Sequence, residues 1–501
     1  MIYVDRQNDI YQLMELTLGV DDAAFWVYRG EGAENLVLAY TGFSPAFIGK
    51  VMRISKAPKS GSQVVNSPAA LTEHERLLWK DIDELVSSSK EAVGKLFVQH
   101  VMKPLLGPQY VDAGMNVLVS REFLGTVEKN FTCQRPAFRV DTAQIDMHSD
   151  SVLLMSDHSL FPHGSWQVGE PGTNIIIDKN SREVNYNSKE STIFSPVGGP
   201  FILDTIHGSL EASPCISVEI KPKCGFLPLS RFISDETAIK KSVTRFKMHQ
   251  SLKLHQGAIS ELSQYNPLDL FSGSKERIEK AIKDLFTTPQ NNFRVFLNGS
   301  LIFGGLGGGA PTTNFLVAKT FEDALKTVIE AEDGLYTEKF LYLVAESVHK
   351  SGVLDQLLKI QKLDNLDIEG AIHAYYNVTS QQCMVCRELS EQQLNRYASL
   401  HSASLEESLR TVKNYLIATT AKDCSLIICF RPRKERYSGS VYNQVHVEST
   451  KQTFDFKVSF IDLDLKPLDK MEYYYKLDKK IVSFYRQMVE MNQGKANFAD
   501  T

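Results

Sequence analysis

Two aspartates in the last quarter of the chain stand where proton transfer or metal binding could use them. Asp423 falls in A-T-T-A-K-D-C-S, between a helical run and the apolar segment S-L-I-I-C-F. Asp462 closes F-D-F-K-V-S-F-I-D, whose Phe454, Phe456, Val458 and Phe460 share one face of a strand. Phosphoryl transfer needs one carboxylate to accept the nucleophile's proton and another to hold Mg²⁺. Asp464 is a rival for the metal. An Asp at a strand end serves equally well as a turn or cap. Upstream, S-V-E-I-K-P-K-C-G-F alternates Val218 and Ile220 with Glu219 and Lys221, so a strand here would present Glu219, Lys221 and Lys223 together. That arrangement suits an anionic ligand with an adjacent hydroxyl or metal; a solvated strand face is the plain alternative. Pro222 removes a ladder hydrogen bond, which predicts an edge or rim position for this end.

Three further groupings carry chemistry. R-G-E-G-A-E-N, Arg29 to Asn35, is a glycine turn between strand-like runs; it could bring backbone N–H groups against phosphates or be an ordinary hairpin turn. Lys50 and Arg53 follow on the next strand. Lys241, Arg245, His249 and Lys253 recur every four residues, which on a helix makes either an anion-binding stripe or a solvated basic face. His373, Cys383, Cys386 and His401 form H-x9-C-x2-C-x14-H, four ligands fit for a closed, structural tetrahedral Zn²⁺; two free thiols and two surface histidines are the alternative. The run GGLGGG at 304–309 lacks a following G-K-[ST] and reads as a linker rather than a phosphate loop.

These groups need two bodies to hold them. At 501 residues the chain exceeds one core. Residues 23–160 read as a smaller α+β lobe: a hairpin from Trp26, a strand at 47–54, helices over 71–104, and strands at 116–120, 136–140 and 151–155. Residues 1–22 read as an extension and 161–213, rich in Gly, Ser, Asn and Pro, as a flexible insertion. Residues 214–490 form a larger lobe: the E-I-K-P-K strand, a basic helix near 237–256, a mostly helical stretch over 275–420, strands at 425–430 and 454–462, and a Lys-rich helix to about 490. Residues 491–501 are left as a tail. No run approaches a membrane span, and the acidic amino-terminus does not read as a signal peptide. The seven cysteines are odd in number and sparse, which fits a reducing compartment, cytoplasmic or nuclear.

Taken together, E-I-K-P-K-C-G-F, the His/Cys set, T-A-K-D-C-S, F-I-D-L-D-L-K-P, Q-R-P-A-F-R-V and Y-R-G-E-G-A-E-N resemble the inositol-pentakisphosphate 2-kinase family, its plant members in particular, from about Trp26 to about Tyr485. The resemblance implies a two-lobed α+β fold distantly similar to protein kinases, with ATP between the lobes. It implies that ATP and Mg²⁺ serve to phosphorylate the 2-hydroxyl of inositol 1,3,4,5,6-pentakisphosphate. Gly32, Ala33, Glu34, Asn35, Arg53, Glu219 and Arg294 would then face the nucleotide phosphates and their metal, and Ser156, Asp157 and His158 the adenine. Asp423 matches the general base, Asp462 the Mg²⁺ ligand, and Lys221 a catalytic cation. Arg139, Lys221, Lys223, Lys253, Asn291, Asn292, Lys466, Lys470 and Tyr474 match substrate-gripping positions. His373, Cys383, Cys386 and His401 match a structural zinc site. A monomer without membrane or nucleic-acid partners is expected.

Charge agrees with that expectation. Five phosphates carry roughly −8 to −10, and a chain of net charge −5 can bind them only through a dense local set of cations. Two other readings compete. An inositol-phosphate-binding module without catalysis explains the cations but not the two aspartates beside them. A zinc-dependent nucleic-acid binder needs a basic surface near the cysteines, where Asp364, Asp367, Glu369, Glu388, Glu391, Glu406 and Glu407 stand instead.

Overall fold

The computed structural model describes residues 17–59, 71–161, 214–305, 315–433 and 440–499. Seven strands make the smaller sheet: β1 (Thr17–Leu18), β2 (Trp26–Glu31), β3 (Asn35–Tyr40), β4 (Lys50–Pro58), β5 (Met115–Val119), β6 (Ala143–Ile145) and β7 (Ser151–Ser156). Their order is β1-β5-β7-β4-β3-β2, with β6 also on β4. Leu36 and Leu38 of β3 and Met52 and Ile54 of β4 alternate inward. They meet Phe123, Leu124 and Val127 of the Arg121–Phe131 helix, which Ser120 caps by accepting the Phe123 N–H at 3.1 Å.

The larger sheet is β8 (Ile216–Ile220), β9 (Phe293–Leu297), β10 (Ser300–Phe303), β11 (Ser425–Pro432), β12 (Asn443–Val447) and β13 (Gln452–Ile461), antiparallel throughout in the order β10-β9-β8-β11-β13-β12. Helices Val353–Gln361, Asp367–Val378 and Leu405–Asp423 share its core.

Several expectations need correction. β8 is not an edge strand with one wet face: all five residues are buried between β9 and β11. Pro222 is accommodated because the ladder ends at Ile220, before its missing donor matters. Residues 137–142 are a helix, not a strand; Pro136 supplies a fixed φ at its start. The basic helix is broken. Asp235–Lys241 is a 3₁₀ turn, and a new helix starts at Arg245 under Thr244, whose hydroxyl accepts the Lys247 N–H. Lys241 therefore leaves the stripe. The last helix runs Met471–Ala499, past the expected end. Thr17 and Leu18 already pair with Leu118 and Val119, so chain expected to be an extension joins the sheet.

Gly304 is more than linker. Its φ of 87° is left-handed, and an added Cβ would lie 2.4 Å from the Phe293 carbonyl. Gly307, Gly308 and Gly309 lie outside the described residues, as does the expected 161–213 insertion apart from Phe161. Phe161 and Cys215 are buried together against Cys429, and both thiols donate to the Ser159 carbonyl, at 3.8 and 3.4 Å.

Candidate active site

Two cavities flank the end of β8. The larger, about 1140 Å³, lies between the lobes; Glu34, Asn35 and Arg53 line it from one side, Asp462 and Asp464 from the other. The smaller, about 440 Å³, lies in the larger lobe and is walled by Lys223, Lys253, Asn291, Asn292, Asp423, Lys466 and Tyr474. The segment leaving β8 serves both. Glu219 is held by Arg294 Nη1 at 3.1 Å and by the Ser425 hydroxyl at 3.0 Å. Lys221 Nζ reaches Asp462 Oδ2 at 2.8 Å, and Ser425 reaches the same oxygen at 3.3 Å. Lys223 opens onto the second cavity.

Each aspartate sits where a regular element stops. Asp423 is the last residue of the Leu405–Asp423 helix, and Lys466 Nζ donates to it at 2.9 Å. Asp462 follows β13 with φ of 59°, and Lys223 has φ of 64°. Left-handed backbone at non-glycine residues costs about 1–3 kcal/mol each and persists where the surroundings enforce it.

Electrostatics separates the two cavities. Burial lifts the Asp462 carboxyl, but Lys221 and Arg53 outweigh it and hold it down to about 2. Burial also lifts Asp423, and Lys466 and Lys223 overcome that, leaving it below the usual carboxylate value. Both are therefore anions at neutral pH. In the smaller cavity the cations are the strained species. Burial drives Lys223 down to about 8, opposed by Asp423 and reinforced by Lys221 and Lys253. Burial, then Lys253 and Arg245, push His249 down to about 4. Cations crowded into a partly desolvated pocket are relieved by an anion. The buried amide oxygen of Asn292 has no hydrogen-bond partner among the described residues, which leaves a polar group for a ligand to meet.

The other expected residues divide. Gly32 and Ala33 sit exposed at the tip of the β2–β3 turn, where Lys56 Nζ donates to the Gly32 carbonyl at 2.7 Å. Ser156 accepts from Lys50 at 3.2 Å while its N–H donates to Asp112 at 2.9 Å; Asp157 pairs with Arg29 at 3.0 Å. His158 is half-buried, with its Nε2 enclosed and unpartnered among the described residues, and desolvation pushes it down to about 4. Arg139 and Lys470 line neither cavity. Arg139 belongs to the smaller lobe, with its guanidinium over the Phe138 ring, and Lys470 is exposed, 3.8 Å from Glu34. Sequence reasoning left out Lys422 and Asp112, which line the smaller and larger cavities respectively. Lys422 stands beside Asp423 in T-A-K-D-C-S and could have been suspected; Asp112 carries no signal.

His373, Cys383, Cys386 and His401 converge although 28 residues separate the two histidines. His373 Nδ1 lies 3.4 and 3.5 Å from the two sulfurs, and His401 Nε2 lies 3.0 Å from both Cys386 Sγ and His373 Nδ1. Ligand atoms about a tetrahedral zinc stand roughly 3.3–3.8 Å apart, given the usual Zn–S and Zn–N lengths. The donor set fits the ion, and the two pairs at 3.0 Å need to open by only a few tenths of an ångström to reach that spacing. His373 stacks on Tyr397 with ring centroids 4.1 Å apart, which fixes the imidazole. All seven cysteines are free thiols.

Comparison with known proteins agrees on one family. The family described as inositol-pentakisphosphate 2-kinase matches residues 28–480. An inositol-pentakisphosphate 2-kinase of Arabidopsis thaliana is 51% identical over 95% of this chain and 96% of its own length. One from rice, Oryza sativa subsp. indica, is 46% identical over 95% and 97%. One from Danio rerio is 28% identical over 92% of each. The chain belongs to the inositol-pentakisphosphate 2-kinase family. It is an α+β enzyme of the phosphotransferase class, and no helix among its described residues is long and apolar enough to cross a membrane.

Proposed function

We propose that this chain transfers the γ-phosphoryl group of ATP to the 2-hydroxyl of inositol 1,3,4,5,6-pentakisphosphate, giving the hexakisphosphate. The observation that carries the reading is the end of β8, where Lys221 serves an acidic cleft through Asp462 and Lys223 serves a basic cavity beside Asp423. One short segment thus joins a site for a metal-bound polyphosphate to a site for a polyanionic alcohol.

In this reading the substrate lies in the smaller cavity. Lys223, Lys253 and Lys466 hold its phosphates, with Asn291, Asn292 and Tyr474 completing the wall. Arg245 and Lys422 add to the cation set, and His249, kept neutral by burial and by Lys253 and Arg245, adds a polar group to the wall. Asp423 receives the proton of the attacking hydroxyl. Its lowered basicity is no obstacle in a loose transition state, where positioning and charge neutralisation outweigh proton abstraction. Asp462, kept ionised by Lys221, would hold Mg²⁺, which neutralises charge between the transferring phosphates; Asp464 is the second candidate. Arg53, Asn35 and Arg294 would steady the nucleotide, and Ser156 to His158 its base. Arg139 and Lys470 lie outside the substrate cavity, so their part in binding requires the lobes to approach. We assign zinc to His373, Cys383, Cys386 and His401 as a structural ion, all four positions being protein ligands. The free thiols and single-chain completeness of both cavities support an intracellular enzyme acting as a monomer.

The test is transfer of labelled γ-phosphate from ATP to the pentakisphosphate by wild type and Asp423→Asn. Hexakisphosphate from the wild type, with a loss of about two orders of magnitude in the variant, is expected. A folded wild type that binds the pentakisphosphate without transferring phosphate would overturn the reading.

A further inference from the structure

Gln361 ends the Val353–Gln361 helix with its side chain wholly buried, at 0% exposure. Its carboxamide is used at both ends. Nε2 donates to the Lys223 carbonyl at 2.8 Å and to the Ala421 carbonyl at 3.1 Å, while Oε1 accepts the Gly225 N–H at 2.8 Å. These three backbone groups belong to the two segments that meet at the smaller cavity. Lys223 is the residue held left-handed, and Ala421 lies in the last turn of the helix that ends at Asp423. A helix's final carbonyls have no intrahelical partner; among the described residues that of Ala421 otherwise accepts only the Cys424 thiol, at 3.4 Å. The same turn is tied on its other side by the Thr420 hydroxyl, which donates to the Asp464 carbonyl at 2.9 Å.

The residue type is specific to the task. Two donors and an acceptor on one planar group, three carbons from the backbone, match two carbonyls and one N–H. Asparagine is a methylene short, and glutamate has no donors when ionised. We propose that Gln361 is a positioning residue for phosphoryl transfer. Its carboxamide sets the separation of Lys223 and Asp423, and so keeps a bound phosphate and the reacting hydroxyl in register. The inference rests on the proposed function, since it assumes that these two side chains act on one substrate.

The experiment compares wild type, Gln361→Met, Lys223→Met and the double variant in steady-state transfer from ATP to the pentakisphosphate, with melting temperature recorded for each. Gln361→Met keeps length and apolar bulk but loses all three bonds. A misplacement of about 1 Å near the chemistry can cost about 10²-fold, so kcat is expected to fall by about 10–10²-fold with KM for ATP unchanged. Because Gln361 acts through Lys223, the double variant should have no lower kcat than Lys223→Met alone. A role confined to stability would lower the melting temperature and leave kcat intact. A kcat for Gln361→Met within about twofold of wild type, or effects that multiply in the double variant, overturns the inference alone; a wild type without transfer overturns the function and the inference together. Where Gln361→Met does not fold, Gln361→Glu serves. Buried and neutral, it keeps the acceptor for Gly225 and one O–H donor. An intermediate kcat at unchanged KM for ATP supports the proposal, and wild-type kcat overturns it.

Discussion

Arg53, on the central strand β4 of the smaller sheet, reaches across the cleft to Asp464, its Nη2 standing 3.1 Å from both carboxylate oxygens. Each is the other's counter-ion while the cleft holds nothing else. Under the proposed function, polyphosphate entering the cleft would compete for the guanidinium and free Asp464 for a metal. The expected consequence is that Arg53→Met raises KM for ATP by about tenfold or more, as removal of a charge-assisted contact of roughly 1.5–3 kcal/mol would. KM for the pentakisphosphate should hardly change. Equal rises in both constants would show that Arg53 does not belong to the nucleotide side. The pair is partly exposed, so its loss should change stability by no more than about 1 kcal/mol.

Lys223 offers a pH test. Burial brings its ammonium down to about 8, against the raising influence of Asp423 and with the lowering influence of Lys221 and Lys253. Below that value it is charged and attracts an anionic substrate; as pH rises through about 8 the free enzyme loses the charge. For the pentakisphosphate, kcat/KM, which reports free-enzyme ionisations, should therefore decline above about pH 8. Lys223→Arg, which stays protonated, should remove the decline. An unchanged profile in that variant would assign the ionisation elsewhere.

The His/Cys cluster predicts one zinc per chain by elemental analysis. Cys386→Ser or prolonged chelation should lower the melting temperature by at least about 2–4 °C, the shift per kcal/mol for a mid-sized domain. A chain purified without zinc, with unchanged melting in the presence of chelator, would remove the ion from the structure.

Lys240 is buried at 3% exposure and donates to Asp367, to Glu369 at 3.0 Å and to Asp478 at 2.8 Å. The three carboxylates hold its ammonium charged against burial, while burial pushes Asp367 up. Removing the cation leaves Asp367 and Glu369 without their ammonium partner, while Asp478 keeps Arg245. Lys240→Met should cost about 3–5 kcal/mol in denaturant unfolding at pH 7. The loss should shrink as pH falls and the acids protonate in the variant. A cost below about 1 kcal/mol would mean that the acids are neutral without the lysine.

Hydrophobic alternation made the hairpin from Trp26 and the strands at β5, β7 and β13 legible, and β11 was legible as a short continuous apolar run, S-L-I-I-C-F, buried on both faces. It misled at β8. A five-residue run buried on both faces reads as amphipathic only because Lys221 and Lys223 follow it, beyond the ladder's end. It misled again at 241–253, where four-residue spacing says nothing of the break that Thr244 caps. Of the site, the residues whose chemistry is in the side chain could be named from the sequence. Gln361 could not, because an isolated glutamine in V-L-D-Q-L-L-K-I-Q differs from its neighbours only through what tertiary contact brings to it. Arg139 and Lys470 were legible as cations, but their distance from the cavity depends on how the lobes sit.

The backbone departs after Phe161 and returns before Cys215, and these two residues rest on the same Cys429 thiol. The departure and return points are thus neighbours, anchored from inside the fold. Closing a flexible loop costs only about 0.6 kcal/mol more for each doubling of its length. For a flexible tether joining these two points, length is therefore nearly neutral for stability. A short glycine–serine tether or a fused reporter, joined at Phe161 and Pro214, would meet that condition, which makes this junction the point where an engineer can attach new sequence to an old enzyme.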